Sequence, residues 1–188
     1  MSLLWNILKH LELAWRLHTA VPSLELPDAY AHIEAAEAAA SGQITAEWLL
    51  GVAFVESRFD PTAVSRVQGR TRRTGRYPST AEPAQLDPRA SLYCGPLQTF
   101  ASSWPACLAM RDLKTGYAAG AAELAEWLRD RRVRGDMTRA LAGHGCGNYG
   151  VTTGNCNGYP GRVLSMARRF RLGVDHRGVG PRRAVANT

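Results

Sequence analysis

The segment Phe54-Val55-Glu56-Ser57-Arg58-Phe59-Asp60-Pro61 carries one carboxylate, Glu56, to the end of an apolar run and directly before a turn. From Ile44 to Val55 apolar residues fall on nearly every face, the pattern of a helix buried in a core. Asp60-Pro61 stops that helix, because the residue before a proline is pushed out of helical geometry. Glu56 is thereby expected at the mouth of a core, among Val52, Val55 and Phe59. Desolvation there disfavours the charged carboxylate. A carboxyl that keeps its proton near neutral pH is the general acid that cleavage of a glycosidic bond requires. The competing reading is an exposed glutamate at a helix end. Asp60 belongs to the turn and is expected to cap local backbone rather than to act as a second catalytic carboxylate.

The pattern Glu56-Ser57-x-Phe59-Asp60-Pro61-x-Ala63-x-Ser65 resembles the catalytic segment of the soluble lytic transglycosylases, lysozyme-like enzymes that cleave peptidoglycan glycan strands. Gly95-Pro96-Leu97-Gln98-Thr99 is similar to that family's Gly-Leu-Met-Gln segment. Ala140-Leu141-Ala142-Gly143-His144-Gly145-Cys146-Gly147 is similar to its Ala-Leu-Ala-x-Tyr-Asn-x-Gly segment. Between them, Gly120-Ala121-Ala122-Glu123-Leu124 matches Gly-Ala-x-x-Leu, and the resemblance spans residues 43–170.

This resemblance implies a site with one carboxylate. Glu56 protonates the glycosidic oxygen, the acetamido group of the N-acetylmuramyl sugar stabilises the cation, and Glu56 then takes the proton of that sugar's C6 hydroxyl. The product is a 1,6-anhydro sugar, with no water consumed and no metal or organic cofactor required. Ser65 matches the serine near the acetamido group, and Gln98 the glutamine lining the groove. For both, the alternative is local hydrogen bonding within a turn. Pro96-Leu97 replaces Leu-Met, which predicts a reshaped apolar wall. His144 stands where the family has a tyrosine that orients the acid, and Gly145 replaces the following asparagine. An imidazole can charge near neutral pH, and His144⁺ would stabilise Glu56 as carboxylate. Tyr149 is the alternative source of the missing phenol, so His144 and Tyr149 are both candidates for the substrate groove.

The elements that must position these residues read as all-α: a lysozyme-like domain, its α+β character reduced, with a basic loop insertion. Expected helices run from Asp28 as N-cap to Gly42 as stop, through Trp48 to Glu56, from Thr99 through Met110, through Tyr117–Leu128, over Met137–Gly143 and over Arg162–Phe170. Short strands are confined to 66–95. Residues 1–42 form N-terminal helices packing on the domain, 43–172 the catalytic domain with an insertion at 66–93, and 173–188 a flexible basic tail. Gln98 lies 42 residues beyond Glu56, farther than the family usually allows. The added stretch holds Arg66, Arg70, Arg72, Arg73 and Arg76 and no acid between Pro61 and Ala81. It reads either as a solvated insertion or as a basic wall for acidic peptide stems.

A chain of 188 residues can bury one sizeable core. Its net charge of +7 favours polyanionic partners: wall polymers, acidic membranes or nucleic acid. Nucleic acid fits least, since the aromatics are not interleaved with the arginines. No segment reaches the ~18 apolar residues of a membrane span. The start, Met1 to Leu17, is interrupted by Lys9, Glu12 and Arg16 and reads as an amphipathic helix rather than a secretion signal. It docks on its own domain or contacts a membrane or partner. Delivery in a phage particle, through a pore or by a secretion machine is therefore expected, with action in a virion or the host envelope and contacts to other virion or secretion proteins. Cys94, Cys107, Cys146 and Cys156 allow three pairings, of which local pairing is the simplest, and free thiols are an alternative. A zinc site from His144, Cys146 and Cys156 has no usual ligand spacing. A hydrolysing muramidase and a structural virion component of lysozyme fold are the competing functions.

Overall fold

The computed structural model describes residues 3–67, 91–154 and 156–171. They form a mostly helical fold with one small sheet. The order is α1 (Leu3–Ala20), α2 (Leu26–Ala39), α3 (Ala46–Ser57), β1 (Val64–Val67), β2 (Ser91–Cys94), β3 (Thr99–Ala101), α4 (Trp104–Ala109), α5 (Leu113–Arg129), α6 (Met137–Thr153) and α7 (Tyr159–Phe170).

α3 is the central helix. Leu49, Leu50, Val52 and Ala53 are buried, and no polar stripe interrupts its surface, which is what a helix covered by neighbours requires. It packs against α7 and α2, and Gly51 lets the α7 backbone approach: a Cβ there would lie 2.9 Å from the Val163 carbonyl. One continuous core joins Leu13 and Leu17 of α1, Ile33 of α2, Phe59, Leu97, Leu124, Leu141 and Phe170. α1 docks on α2 through Leu13, Ala14 and Leu17, as an amphipathic helix should, yet Leu4, Trp5, Leu8, Leu11 and Trp15 stay exposed. No described helix is long and apolar enough to cross a membrane.

The helix-rich expectation holds, and the short strands form one antiparallel sheet of order β1-β2-β3. It extends past both ends of the 66–95 window, because strands of three or four residues are too short for a period-two pattern to show. Thr99 lies in β3 and caps no helix. Ser103 caps α4, its hydroxyl accepting the Ala106 N–H at 3.3 Å, and Pro105 fits the first turn, where no N–H is missed. Asp28 likewise lies inside the first turn of α2, whose N-cap is Glu25, and that helix ends at Ala40 before Gly42. α6 continues beyond the expected Gly143 to Thr153, across a kink at Gly147.

Of the 66–93 insertion, residues 68–90 lie outside the described residues, as does the basic tail, 173–188. Val67 pairs with Ser91 across the β1–β2 ladder, so the two ends of the insertion meet. Replacing residues 68–90 by an Asn-Gly turn is therefore expected to leave the fold intact, since two such residues close an antiparallel pair. A helical circular dichroism spectrum and melting temperature matching the parent check this; an unfolded product would contradict it.

Cys94 is bonded to Cys107 and Cys146 to Cys156, the local pairing. The first bond ties β2 to α4 and the second ties α6 to the turn before α7. His144 is thus left without thiolate neighbours for the zinc arrangement.

Candidate active site

Glu56 occupies the last turn of α3, where the chain reverses sharply. Arg58 and Phe59 both take left-handed backbone, with φ of 60° and 65°. Such conformations are unfavourable for side chains of this size. Phe59 holds the turn in place by burying its ring against His32, Phe54 and Phe170. The Arg58 guanidinium sits 3.9 Å over the Phe54 ring. Asp60 accepts the Thr62 N–H at 2.8 Å, the local cap expected of it. Glu56 emerges from this turn with 21% of its side chain exposed, partly buried but open to solvent.

Behind Glu56 stands His144, whose side chain is only 1% exposed. Its Nε2 lies 4.0 Å from Glu56 Oε1 and donates to the Leu97 carbonyl at 3.0 Å. Its Nδ1 donates to Glu123 Oε1 at 3.1 Å. A carbonyl and a carboxylate both accept, so the arrangement calls for protons on both ring nitrogens, the imidazolium. Burial opposes that charge, but the Glu123 hydrogen bond and charge, then Glu56 and Leu97, outweigh it and raise the imidazole to about 8. Burial also pushes the Glu123 carboxyl upward. His144, with hydrogen bonds from Trp127 and the Phe100 backbone, more than offsets this and holds it below its usual value.

Tyr159 closes the other side. Its hydroxyl is buried without a hydrogen bond of normal geometry, and burial, then the Glu56 charge, push the phenol well above its usual range. The Tyr159 ring lies over Gly145, where a Cβ would come within 2.7 Å of it. That contact accounts for the glycine in place of the resembled family's asparagine. Tyr149, the sequence candidate for this phenol, is 63% exposed, and the phenol facing Glu56 is that of Tyr159.

The Gly95–Gln98 turn is bolted to the helices on both sides. Ser57 donates to the Pro96 carbonyl at 2.8 Å, and His144 holds the Leu97 carbonyl. Leu97 itself is fully buried against Gly120, so it belongs to the core and not to an exposed groove wall. Ser65 donates to Gln98 Oε1 at 2.8 Å, while the Gln98 amide donates to the Ala63 and Gly95 carbonyls. The two side chains thus bond to each other and tie the Gly95–Gln98 turn to the start of β1.

The structure therefore gathers Glu56, His144, Glu123 and Tyr159. Sequence reading missed the last two. Glu123 was visible inside Gly-Ala-x-x-Leu but at a position without an assigned role. Tyr159 left one trace, the glycine at 145 that makes room for its ring. Among the described residues no group of histidine, cysteine and carboxylate side chains could hold a metal ion. Comparison with protein-family models, curated proteins and solved structures finds no match to this chain.

A second buried histidine makes a useful contrast. His32 is pushed down to about 4, chiefly by burial, against the raising effects of a hydrogen bond to the Phe59 carbonyl and the charge of Asp28. With that N–H used, Nδ1 accepts the Tyr117 hydroxyl at 3.0 Å. A lowered value means His32 contributes stability above 6.5 that is lost as pH falls toward 4. The raised value of His144 means the opposite: its contribution is complete below 6.5 and lost as pH rises through about 8. Stability is expected to peak near pH 6.5 and to fall by on the order of 2–3 kcal/mol on each side. Thermal melts from pH 4 to 9 check this. His144→Gln should flatten the alkaline limb, and an unchanged limb in that variant would contradict the assignment.

Proposed function

We propose that this protein is a peptidoglycan lytic transglycosylase with a lysozyme-like fold, acting through Glu56 on the bond between N-acetylmuramyl and N-acetylglucosaminyl sugars. The observation that carries the reading is a single partly open carboxylate at the end of a buried helix, backed by His144 and Tyr159. The resemblance around Glu56, Gln98 and His144 supports it.

In this reading Glu56 gives its proton to the glycosidic oxygen as the C1–O bond breaks. The acetamido carbonyl stabilises the cation at C1. O6 of the same sugar then closes on C1, and its proton returns to Glu56. His144⁺ and the Tyr159 hydroxyl face the carboxylate that Glu56 becomes between these two transfers, and such preorganised charge lowers the barrier. His144 is too buried to touch a polymer, so its part is positioning. Among the described residues the other carboxylate of this cluster, Glu123, is committed to His144, which favours the anhydro route over hydrolysis with paired carboxylates.

The paired cysteines suit an oxidising compartment such as the cell envelope, and the net charge of +7 suits an anionic wall. Delivery by a phage particle or secretion machine belongs to the same proposal. The test is release of soluble fragments from dye-labelled sacculi. Release by the purified protein is expected. A folded protein that releases nothing favours the alternative of a structural component.

A further inference from the structure

α1 is apolar on two opposite faces. Leu13 and Leu17 are buried on the domain, while Leu4, Leu8, Leu11 and Trp15 are each more than half exposed. At about 100° per residue the four exposed side chains fall within roughly 60° of one another, and the buried pair lies about 180° away. Trp5 and Ile7 flank the outer stripe and are exposed as well. A helix that is apolar all round is normally covered all round, and among the described residues the outer face is left open.

Beside this stripe α1 and the start of α2 enclose a cavity of about 530 Å³ lined by Leu11, Ala14, Trp15, Leu26, Pro27 and Tyr30. Its wall is almost wholly apolar, and Leu26 stands exposed at its edge. Stripe, flanks and edge together offer roughly 600 Å² of apolar side chain, the upper limit of what a monomer usually shows. Each partner in a stable dimer buries about 800 Å², of which about 65% is apolar in homodimers. This one face is large enough for such an interface.

Charge argues against lipid as the cover. Residues 3–39 hold Lys9 and Arg16 against Glu12, Glu25, Asp28, Glu34 and Glu37, a balance of 2 − 5 = −3 in a chain of +7. A helix that lies on an anionic bilayer is flanked by Lys and Arg; the α1–α2 pair carries the reverse.

Spacing favours a copy of the same helix. Leu4, Leu8, Leu11 and Trp15 recur at intervals of four, three and four residues, the seam of a two-stranded coiled coil. Laid antiparallel, the four positions oppose themselves: Leu4 meets Trp15 and Leu8 meets Leu11, twice over about a two-fold axis. Ile7 lies on the same side of the seam as Ala14. In this register it comes level with Glu12 of the other copy, between Leu11 and Ala14, and so stands over that copy's apolar cavity.

We infer that the outer face of α1 is a dimerisation surface, on which a second copy docks antiparallel through Leu4, Leu8, Leu11 and Trp15. The inference stands apart from glycan cleavage and is tested without it.

The test is sedimentation of the full chain over a range of concentrations. A species of twice the 20.5 kDa chain mass is expected, with a dissociation constant in the micromolar range or below. Leu8→Glu combined with Leu11→Glu should raise that constant at least about 100-fold, because two charges per copy would lose their water. Both side chains are exposed, so the variant should keep the parent's circular dichroism spectrum. A parent that sediments as a monomer throughout, or a folded variant that dimerises like the parent, overturns the inference. Orientation is read by mixing Leu8→Glu protein with Leu11→Lys protein. Each alone should be monomeric and the mixture dimeric, since the antiparallel register sets the new acid against the new base. A mixture that stays monomeric overturns the arrangement. Flotation of a monomeric parent with phosphatidylglycerol vesicles, lost in the double variant, would overturn it in favour of a lipid surface.

Discussion

Glu56→Gln is expected to lose at least about 10²-fold, and up to 10⁴-fold, of glycan cleavage, the range that general acid–base catalysis supplies. The amide is nearly isosteric with the acid but can neither give the proton to the glycosidic oxygen nor take one from O6. Stability should change little. Glu56 is partly open, and its nearest charge, His144 Nε2 at 4.0 Å, has Leu97 and Glu123 as closer partners. The variant should therefore still bind sacculi and melt within a few degrees of the parent. Near-parental activity in a folded Glu56→Gln protein would remove the basis of the assignment.

The next largest effects are expected at Glu123, where two substitutions should behave differently. Glu123→Leu leaves an imidazole buried beside Leu97 without its anion, and breaking a buried pair on one side destabilises by about 3–5 kcal/mol. Glu123→Gln is much milder. A neutral His144 can keep its Nε2–H on the Leu97 carbonyl while Nδ1 accepts from the new amide, so every polar atom stays satisfied. What Glu123→Gln loses is the charge. The parent should lose activity on the alkaline side as His144 deprotonates through about 8. In Glu123→Gln that limb should move by a unit or more to lower pH, because the carboxylate that raises His144 is gone. Turnover measured from pH 5 to 9 for both proteins decides this, and superimposable profiles would show that His144 does not act on Glu56. The sequence alone predicts a histidine titrating near 6–7. The structure displaces that value because Glu123, a residue with no role in the resembled pattern, is its partner.

That displacement illustrates what the chain discloses and what it withholds. α3 is legible as an unbroken apolar run ending ahead of Asp60-Pro61, and α5 because its apolar residues recur at helical spacing. Glu56 is legible for the same reason, being fixed by its distance from a turn. The sheet is legible only in part: β2 falls within the expected 66–95 window and β1 begins just before it, while β3, three residues long, has a pattern indistinguishable from a loop. The partners of Glu56 depend on contacts between α5, α6 and α7 that no local pattern encodes. Tyr149 and Tyr159 look equivalent as phenols in the chain. The fold separates them, leaving the first in solvent and laying the second over Gly145. Ser65 and Gln98 were legible as a pair of polar residues, but not as partners of each other.

The most direct test of the central claim is the mass of the glycan ends released from purified sacculi by the parent protein. Chains ending in 1,6-anhydro-N-acetylmuramic acid, one water lighter than a reducing end, are expected from the parent and absent with Glu56→Gln. Ordinary reducing ends would replace the transglycosylase reading by hydrolysis, and intact sacculi after incubation with the folded parent would contradict glycan cleavage altogether.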